Sequence, residues 1–316
     1  MRYVLRADAS QSIGAGHVMR SSAVAEELIA RGEDVVFVGQ ISDVPWLAAR
    51  MNTLGFSKIL SEPYEFISNP EKDVLILDSY SLPVDNNFIK PHKWRAIVTL
   101  ADELTPVYLA DLIIHPSFSI NFVDVVGVKV LTGAKYIPFR SSIQKIGNVV
   151  KKESILEILV VGGGTDSTNF VAAICRVLTK IQGNFHANIF TNDSALSDID
   201  SRLTLFPIGS ELDNYAMNAD LVFTTASTTS LEFIAREIAV GIGCAVDNQE
   251  EYYASLSNFG VAAPIGQFIA GNWDMNLLGI SELVNSQYSR EVLRRKCSGL
   301  VDLEGARRIV NEILKL

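Results

Sequence analysis

Cysteine is scarce in this chain, and clusters of basic residues are absent. The three cysteines, Cys175, Cys244 and Cys297, lie far apart, and none belongs to a C-x-x-C or Cys/His cluster. This pattern indicates neither a disulfide framework nor a zinc site, so we expect reduced thiols and a cytoplasmic location. The formal net charge of −9, without a run of Lys or Arg, argues against nucleic acid and anionic membranes as partners.

Long apolar runs are also missing. The longest, residues 238–246, is too short to cross a bilayer, so we expect no membrane insertion. The chain opens directly on the β-prone residues 3–6, and we therefore expect no signal peptide. A length of 316 residues with 48% hydrophobic and 20% charged residues is typical of a globular protein with two domains.

Short apolar segments alternate with helical patterns along the whole chain. This alternation predicts an α/β protein in which helices cover both faces of parallel sheets. The predicted strands cover residues 3–6, 35–38, 74–77, 97–100, 112–114, 128–131, 155–161, 187–190, 203–207, 221–224 and 239–245. The predicted helices cover residues 17–31, 43–54, 84–90, 169–181, 211–218, 229–236 and 250–258, with most of 275–316.

The polar segment 141–154 has no periodic pattern and is predicted to be a linker. We expect a first domain over residues 1–143 and a second over 144–316, with the C-terminal helices able to pack back on the first. Both domains open with a strand, a glycine loop and a helix. The predicted fold class is therefore two doubly wound, Rossmann-like domains that face each other across a cleft.

The loop between the first strand and the first helix, Ile13-Gly14-Ala15-Gly16-His17, suits an anion. Its two glycines permit a tight turn, and the start of a helix presents unpaired N–H groups. A strand–glycine–helix turn is also a common connection that binds nothing. His17 distinguishes this loop, because imidazole is the side chain that gains or loses a proton near neutral pH.

Two loops of the second domain also suit a phosphate group. The first, Gly162-Gly163-Gly164-Thr165-Asp166, follows a strand but lacks the lysine of a nucleotide-hydrolysing P-loop. The second, T-T-A-S-T-T-S-L-E over residues 224–232, places hydroxyl groups just before a helix. Thr229 and Glu232 alternatively match a capping box, which needs no ligand.

Acidic residues follow three strands of the first domain. Asp8, Asp78 and Asp102 lie at predicted carboxyl ends, where open α/β sheets bind their ligands. An aspartate in such a position alternatively caps a turn or a helix. In the second domain, Asn248-Gln249 follows a strand and would either orient a sugar or begin the next helix.

Nine short motifs together resemble the nucleotide-sugar hydrolases of pseudaminic acid biosynthesis. In chain order they are R-A-D-A-S, I-G-A-G-H-V-M-R, D-S-Y, A-D-E, A-D-L-I-I, G-A-K-Y-I-P-F-R, G-G-T-D, S-L-E and D-N-Q-E. That family removes UDP from UDP-2,4-diacetamido-2,4,6-trideoxy-β-L-altropyranose and is similar in fold to GT-B glycosyltransferases. Proteins of spore-coat and surface polysaccharide biosynthesis carry the same pattern. The resemblance implies a GT-B-like fold and a UDP-sugar as substrate. We expect no cofactor, and hydrolysis of such a substrate requires no metal; the alternative is a Mg²⁺ ion bridged to the diphosphate.

The resemblance also implies roles for the matched residues. His17 would be the catalytic base near the anomeric carbon. Asp78 and Tyr80 of the D-x-Y match would also be catalytic, with Tyr80 beside the sugar. The first domain would hold the sugar, and the second would hold UDP. Implied diphosphate contacts are Gly163, Gly164, Thr165, Thr228 and Thr229, with Glu232 on the ribose and Asn248 and Gln249 beside the sugar. The other matched positions implied to bind substrate are Asp8, Gly14, Gly16, Arg20, Asp102, Tyr136, Arg140 and Asp166.

The chain departs from that family at three places. Ser79 stands where the family usually has the histidine of D-H-Y, His115-Pro116 replaces an asparagine-containing stretch, and the glycines common ahead of S-L-E are missing. These departures leave the nucleotide-binding motifs intact and concern the identity of the sugar. From the resemblance as a whole, we expect a hydrolase that releases UDP by attack of water at the anomeric carbon. The alternatives are a GT-B glycosyltransferase with a UDP-sugar donor and a non-catalytic nucleotide-sugar-binding protein.

Overall fold

A computed structural model describes residues 1–79, 82, 86–101, 110–118, 127–146, 155–209 and 211–316. The chain divides into two compact units. Unit 1 comprises Met1–Ser141 and Asp302–Leu316, and unit 2 comprises Ser142–Val301. In each unit, helices surround a largely parallel sheet, which confirms the predicted α/β, Rossmann-like fold class. Most of the predicted linker, residues 147–154, lies outside the described residues.

The described part of unit 1 contains a seven-stranded parallel sheet. Its strands are β1 (Arg2–Ala7), β2 (Asp34–Val38), β3 (Lys58–Leu60), β4 (Asp73–Asp78), β5 (Ala96–Leu100), β6 (Leu112–His115) and β7 (Lys129–Thr132). Their order is β3-β2-β1-β4-β5-β6-β7. All six residues of β4 are buried, as expected of a central strand that is covered on both faces.

Helix α1 (Gly16–Ala30) covers one face of this sheet, and α2 (Pro45–Met51) follows β2. Val18, Ala25 and Leu28 are fully buried in the core of unit 1, and the half-buried Ile29 packs against the same core. Gly32, with φ of +82°, donates its N–H to the carbonyl of Ile29 and ends the helix. A left-handed backbone of this kind is the usual position of glycine just beyond a helix.

The described part of unit 2 repeats this plan with one antiparallel edge. Its strands are β8 (Leu156–Val161), β9 (Phe185–Phe190), β10 (Leu203–Phe206), β11 (Leu221–Thr225), β12 (Ala239–Cys244), β13 (Ala263–Ile269) and β14 (Asn272–Met275). Their order is β10-β9-β8-β11-β12-β13-β14, and β14 runs antiparallel to β13. Its helices are α3 (Phe170–Leu178), α4 (Leu212–Ala216), α5 (Thr228–Ala235), α6 (Glu250–Phe259), α7 (Leu277–Asn285) and α8 (Gln287–Cys297).

The last helix, α9 (Gly305–Ile313), belongs to unit 1. Ile309, Val310 and Ile313 are fully buried in the core that α1 also joins. At Gly305 a Cβ atom would lie 2.0 Å from the carbonyl oxygen of Ile137, so only glycine permits this close approach. The remaining short helices are 3₁₀ turns at Pro63–Glu65, Pro91–Lys93, Ala134–Tyr136, Ser194–Leu196 and Asp247–Gln249.

The predicted helix over residues 84–90 is wrong in its described part. Residues 86–90 form a turn. The Asn86 side chain accepts the N–H of Phe88 at 2.8 Å, and such a local hydrogen bond competes with the helical pattern. Pro91, which follows, disfavours a helical conformation of the residue before it.

Candidate active site

Four polar side chains meet at the carboxyl end of β4. The Nδ1 atom of His17 lies 2.5 Å from Oδ1 of Asp78. Arg20 donates two hydrogen bonds to the same carboxylate, at 2.7 and 2.9 Å, and the Ser21 hydroxyl donates a third at 3.1 Å. All four residues are buried, and Asp78 is completely so. Asp78 therefore bonds to side chains of α1, and the alternative that it caps a turn or a helix is wrong.

The electrostatic state of this cluster follows from its geometry. Burial by itself raises the pKa of Asp78, but the charge of Arg20, together with the charge and hydrogen bond of His17, holds that pKa well below its usual range. Asp78 is therefore an ionised carboxylate, which can only accept hydrogen bonds. The Nδ1 atom of His17 therefore carries a proton that it donates to Asp78, and Nε2 is the ring nitrogen that can act as a base.

The sequence forms this cluster by combining a helix face with strand order. His17, Arg20 and Ser21 lie at positions i, i+3 and i+4 of α1, so their side chains share one helix face. The loop before α1 turns through Gly14, whose φ of +82° suits glycine, and Gly16 begins the helix. Because β1 and β4 are neighbours in the sheet, α1 passes directly over the end of β4.

The strand order also identifies the expected ligand-binding point of unit 1. The chain proceeds outward from β1 to β2 and β3, then returns to place β4 on the other side of β1. Open α/β sheets bind ligands beyond the carboxyl ends of the strands at such a reversal. Ala7 of β1 pairs in register with Asp78 of β4. Asp8, which follows Ala7, therefore belongs to the same edge as the His17–Asp78 pair.

The other predicted residues of unit 1 have varied surroundings. The Asp8 carboxylate accepts two hydrogen bonds from Arg6, at 2.5 and 2.7 Å, and one from the backbone N–H of Gln40 at 2.8 Å. Tyr136 is half-buried against the core near α9, and Arg140 is buried. Tyr80 and Asp102 lie outside the described residues.

Ser21 and Arg6 are the members of this region that the sequence-based predictions missed. The signal for Ser21 was its spacing from His17, because a buried polar residue one turn along a helix shares the face of the first. The signal for Arg6 was its position two residues before Asp8, because alternate residues of a strand project to the same face of a sheet. Neither signal identifies a partner until the strand order is known.

In unit 2, the two predicted phosphate loops lie next to each other. Gly163 follows β8 with φ of +87°. A Cβ atom built on it would lie 3.5 Å from the Thr225 hydroxyl and 4.0 Å from the Ser227 hydroxyl. Because β8 and β11 are neighbours, the glycine loop and the hydroxyl-rich loop occupy the same sheet edge. The reversal of strand order in this sheet also falls between β8 and β11.

The start of α5 has the features of an anion site. The helix begins at Thr228, its N-cap is Ser227, and no side chain caps it. Thr229 lies inside the first turn, so the capping box between Thr229 and Glu232 that the sequence also allowed is wrong. N–H groups at an uncapped helix start are suitable donors to phosphate oxygens.

The start of α3 is occupied differently. Asp166 accepts the N–H of Phe170 at 2.8 Å and that of Val171 at 3.2 Å. Burial raises the pKa of Asp166 to about 6, although these two hydrogen bonds act in the opposite direction. A Cβ atom on Gly162 would lie 2.3 Å from the Asp166 side chain, so glycine is required there. The chain therefore supplies its own anion to this helix.

The remaining predicted residues of unit 2 follow the same edge of the sheet. Gly164 and Thr165 continue the glycine loop, and Glu232 is half-buried on α5. Asn248 is exposed in the short 3₁₀ turn after β12, and Gln249 accepts the N–H of Ala245 at 3.0 Å. The structure thus places these residues beyond three adjacent strands, β8, β11 and β12.

The described part of the chain contains neither a metal-binding cluster nor a membrane-spanning helix. No group of three or more His, Cys, Asp and Glu residues there is arranged to hold a metal ion. Within the same ranges, no helix combines the length and the apolar character needed to cross a membrane.

Comparison with known proteins shows that this chain is similar in fold to several solved structures. No protein-family model and no curated protein matches the sequence. Among solved structures, MurG of Acinetobacter baumannii is 15% identical, with 100% of both chains covered and a TM-score of 0.66. The spinosyn forosaminyltransferase SpnP is 11% identical, again with 100% of both chains covered, at a TM-score of 0.67. The spinosyn rhamnosyltransferase SpnG, solved with thymidine diphosphate, is 11% identical at 100% coverage of both chains and a TM-score of 0.65. The chain has the fold of the GT-B glycosyltransferases.

Proposed function

We propose that this protein displaces UDP from the anomeric carbon of a UDP-sugar, with His17 as the general base. The observation that carries the proposal is the 2.5 Å contact of His17 with an ionised, fully buried Asp78 at the reversal point of the first sheet. A buried carboxylate that fixes one nitrogen of an imidazole leaves the other oriented as a base.

The chemical step follows from that arrangement. Nε2 of His17 takes the proton from the attacking oxygen while that oxygen bonds to the anomeric carbon. The bond from this carbon to the diphosphate oxygen breaks, and its electron pair leaves with UDP. Asp78 then stabilises the imidazolium, and Arg20 keeps Asp78 ionised. Direct attack of this kind inverts the anomeric centre, and base catalysis supplies a factor of about 10²–10⁴ in rate.

Unit 2 supplies the groups that would hold UDP. The uncapped start of α5 and the adjacent Gly163 loop offer N–H and hydroxyl donors to the diphosphate. In the proposal, Thr228 and Thr229 lie near the phosphates and Glu232 on the ribose hydroxyls. Such donors stabilise a departing diphosphate when they are already in place.

Water is the attacking group that we propose first. The motifs that resemble the pseudaminic acid hydrolases include three of the four residues that meet in the structure, His17, Arg20 and Asp78. The substrate would then be a UDP-linked 2,4-diacetamido-2,4,6-trideoxyhexose. The free sugar would serve the biosynthesis of nonulosonic acids or surface polysaccharides.

Glycosyl transfer is the second candidate, and the structural comparisons favour it. The neighbours of similar fold include the forosaminyl- and rhamnosyltransferases SpnP and SpnG. The same histidine would then deprotonate a hydroxyl group of an acceptor instead of water.

The deciding experiment incubates the protein with a panel of UDP-sugars without acceptor and follows each by proton NMR. Hydrolysis predicts free sugar in equal amount to UDP, first as the inverted anomer. Transfer predicts turnover only after a hydroxyl acceptor is added. The His17→Asn variant should lose turnover, whereas the control His92→Asn, at an exposed histidine of unit 1, should retain it. Normal turnover by His17→Asn would refute the proposed base.

A further inference from the structure

The hydrogen bonds to the Asp78 carboxylate divide evenly between its two oxygen atoms. Oδ1 accepts from Nδ1 of His17 at 2.5 Å and from the Arg20 guanidinium at 2.7 Å. Oδ2 accepts from Nε of Arg20 at 2.9 Å and from the Ser21 hydroxyl at 3.1 Å. An ionised carboxylate has about four acceptor positions, so these four donors fill its capacity.

Ser21 is the member of this cluster to which the proposed proton transfer gives no part. Ser21 and Asp78 are both completely buried, so loss of the hydroxyl would leave Oδ2 with one donor while Oδ1 kept two. A fully satisfied buried network specifies a single arrangement, whereas a partly satisfied one does not. Without Ser21, a rotation of the carboxylate would let His17 bond to either oxygen.

The orientation of His17 depends on this balance, because all the donors come from one helix. His17, Arg20 and Ser21 share a face of α1 and meet a single carboxylate of β4. A rotation of that carboxylate would therefore change the direction of the His17 hydrogen bond, and with it the direction of Nε2. A small misplacement of a reacting group is costly in rate.

We propose that Ser21 positions the base of the proposed reaction. Its hydroxyl holds Oδ2 of Asp78, which keeps Oδ1 in line with Nδ1 of His17 and fixes the direction of Nε2. The inference rests on the proposed function, because it assumes that Nε2 takes the proton of the attacking group. Ser21 acts only through Asp78.

The first readout of the test needs no substrate. In proton NMR, the Nδ1 proton of His17 should resonate far downfield, because it lies in a short, charge-assisted hydrogen bond. The absence of this signal in His17→Asn assigns it. Ser21→Ala should move the signal upfield and broaden it, because the hydrogen bond would then be divided between several geometries.

The second readout is the split between kcat and KM for a UDP-sugar that the wild type turns over. Ser21→Ala should lower kcat by about tenfold, as expected when a hydrogen bond to a charged group is lost, and leave KM unchanged. Ser21→Thr, which keeps the hydroxyl, should restore both kcat and the NMR signal.

Ser22→Ala is the matched control. Ser22 is the next residue of α1 and is also completely buried, but its hydroxyl donates to the backbone carbonyl of Met19 at 2.8 Å. This variant should leave the NMR signal and kcat unchanged. If Ser21→Ala does not fold, Ser21→Cys, which fills the same space with a weaker donor, decides by the same two readouts.

Two outcomes overturn the inference. One is an unchanged NMR signal or an unchanged kcat in Ser21→Ala. The other is the same loss in Ser22→Ala, which would show that a general loosening of α1 is responsible. Failure of the proposed function is separately visible, because the wild type would then turn over no UDP-sugar while the NMR comparison still tests the contact with Asp78.

Discussion

Asp166 offers a quantitative test of the electrostatics of unit 2. Its carboxylate is held against the start of α3 by the N–H groups of Phe170 and Val171, and its backbone has φ of +48°. Asparagine tolerates this left-handed conformation and retains one accepting oxygen. The Asp166→Asn variant therefore removes the charge while leaving the shape of the loop unchanged.

The expected effect follows from the raised pKa. Burial moves the pKa of Asp166 from 3.8 to about 6, so the folded protein binds its proton more tightly than the unfolded chain does. Stability therefore falls as the pH rises from about 4 to 6 and stays low above 6. A tenfold change in proton affinity corresponds to about 1.4 kcal/mol. The rise in pKa from 3.8 to about 6 therefore lowers the free energy of unfolding by about 3 kcal/mol in all. Partial access of water to this half-buried group reduces our expectation to about 2 kcal/mol.

The assay measures the free energy of unfolding of unit 2 in urea at pH 4 and pH 7.5. Trp273 reports on this unit, since its indole N–H donates to the carbonyl of Thr168 in the same loop. Changing Trp46 and Trp94, both in unit 1, to Phe removes the other two tryptophans. From pH 4 to pH 7.5, the free energy of unfolding of Asp166→Asn should rise by about 2 kcal/mol relative to that of the wild type.

A second aspartate provides the control for this experiment. Asp193 also accepts a backbone N–H, that of Ala195 at 3.0 Å, but at an exposed position. Asp193→Asn should therefore show no comparable change with pH. If the difference in stability between Asp166→Asn and wild type is the same at pH 4 and pH 7.5, the buried-charge explanation is refuted.

Three further predictions concern the two sites. Asp78→Asn should destabilise unit 1 by about 3–5 kcal/mol in urea unfolding, because the buried Arg20 would lose the charge of this carboxylate. It should also lower kcat by about 10²–10⁴ by removing the orientation of His17, and a kcat close to that of wild type would contradict this role. Gly163→Ala should weaken UDP binding measured by calorimetry, because φ of +87° strains alanine by about 1–2 kcal/mol and the new methyl group meets the Thr225 hydroxyl. Turnover should be unchanged in excess EDTA, and a loss that Mg²⁺ restores would instead indicate a metal bridged to the diphosphate.

The sequence predicts the central strands well because burial on both faces requires continuous apolar runs. β4 and β8 are of this kind. The strands that sequence patterns missed lie at or near the sheet edges, where this requirement is relaxed. β3 has only three residues, β13 contains Pro264 and Gly266, and β14 alternates polar and apolar residues over only four positions.

The candidate site could be predicted in its parts but not in its assembly. Glycine loops and aspartates after strands are local features, and they led to His17 and Asp78 separately. Their contact joins residues 61 positions apart, and it depends on β4 lying beside β1, which no local pattern specifies. Ser21 and Arg6 were missed for the same reason, since each is recognisable only through an aspartate that the fold brings to it.

Three aspartates after strands illustrate how the partner, not the residue type, determines the role. Asp78 meets His17 and Arg20 and is fixed as an ionised acceptor that orients a base. Asp8 meets Arg6 and remains a charge with acceptor capacity at the sheet edge. Asp166 has only backbone N–H groups as hydrogen-bond partners among the described residues, and burial therefore raises its pKa. Of these three residues, Asp8 and Asp78 in unit 1 are each paired with an arginine, whereas Asp166 in unit 2 is not. In the proposed function, unit 1 would perform the charge-dependent chemistry at the sugar. The loops of unit 2, which carry no Lys or Arg over residues 162–169 and 224–232, would hold UDP through neutral donors.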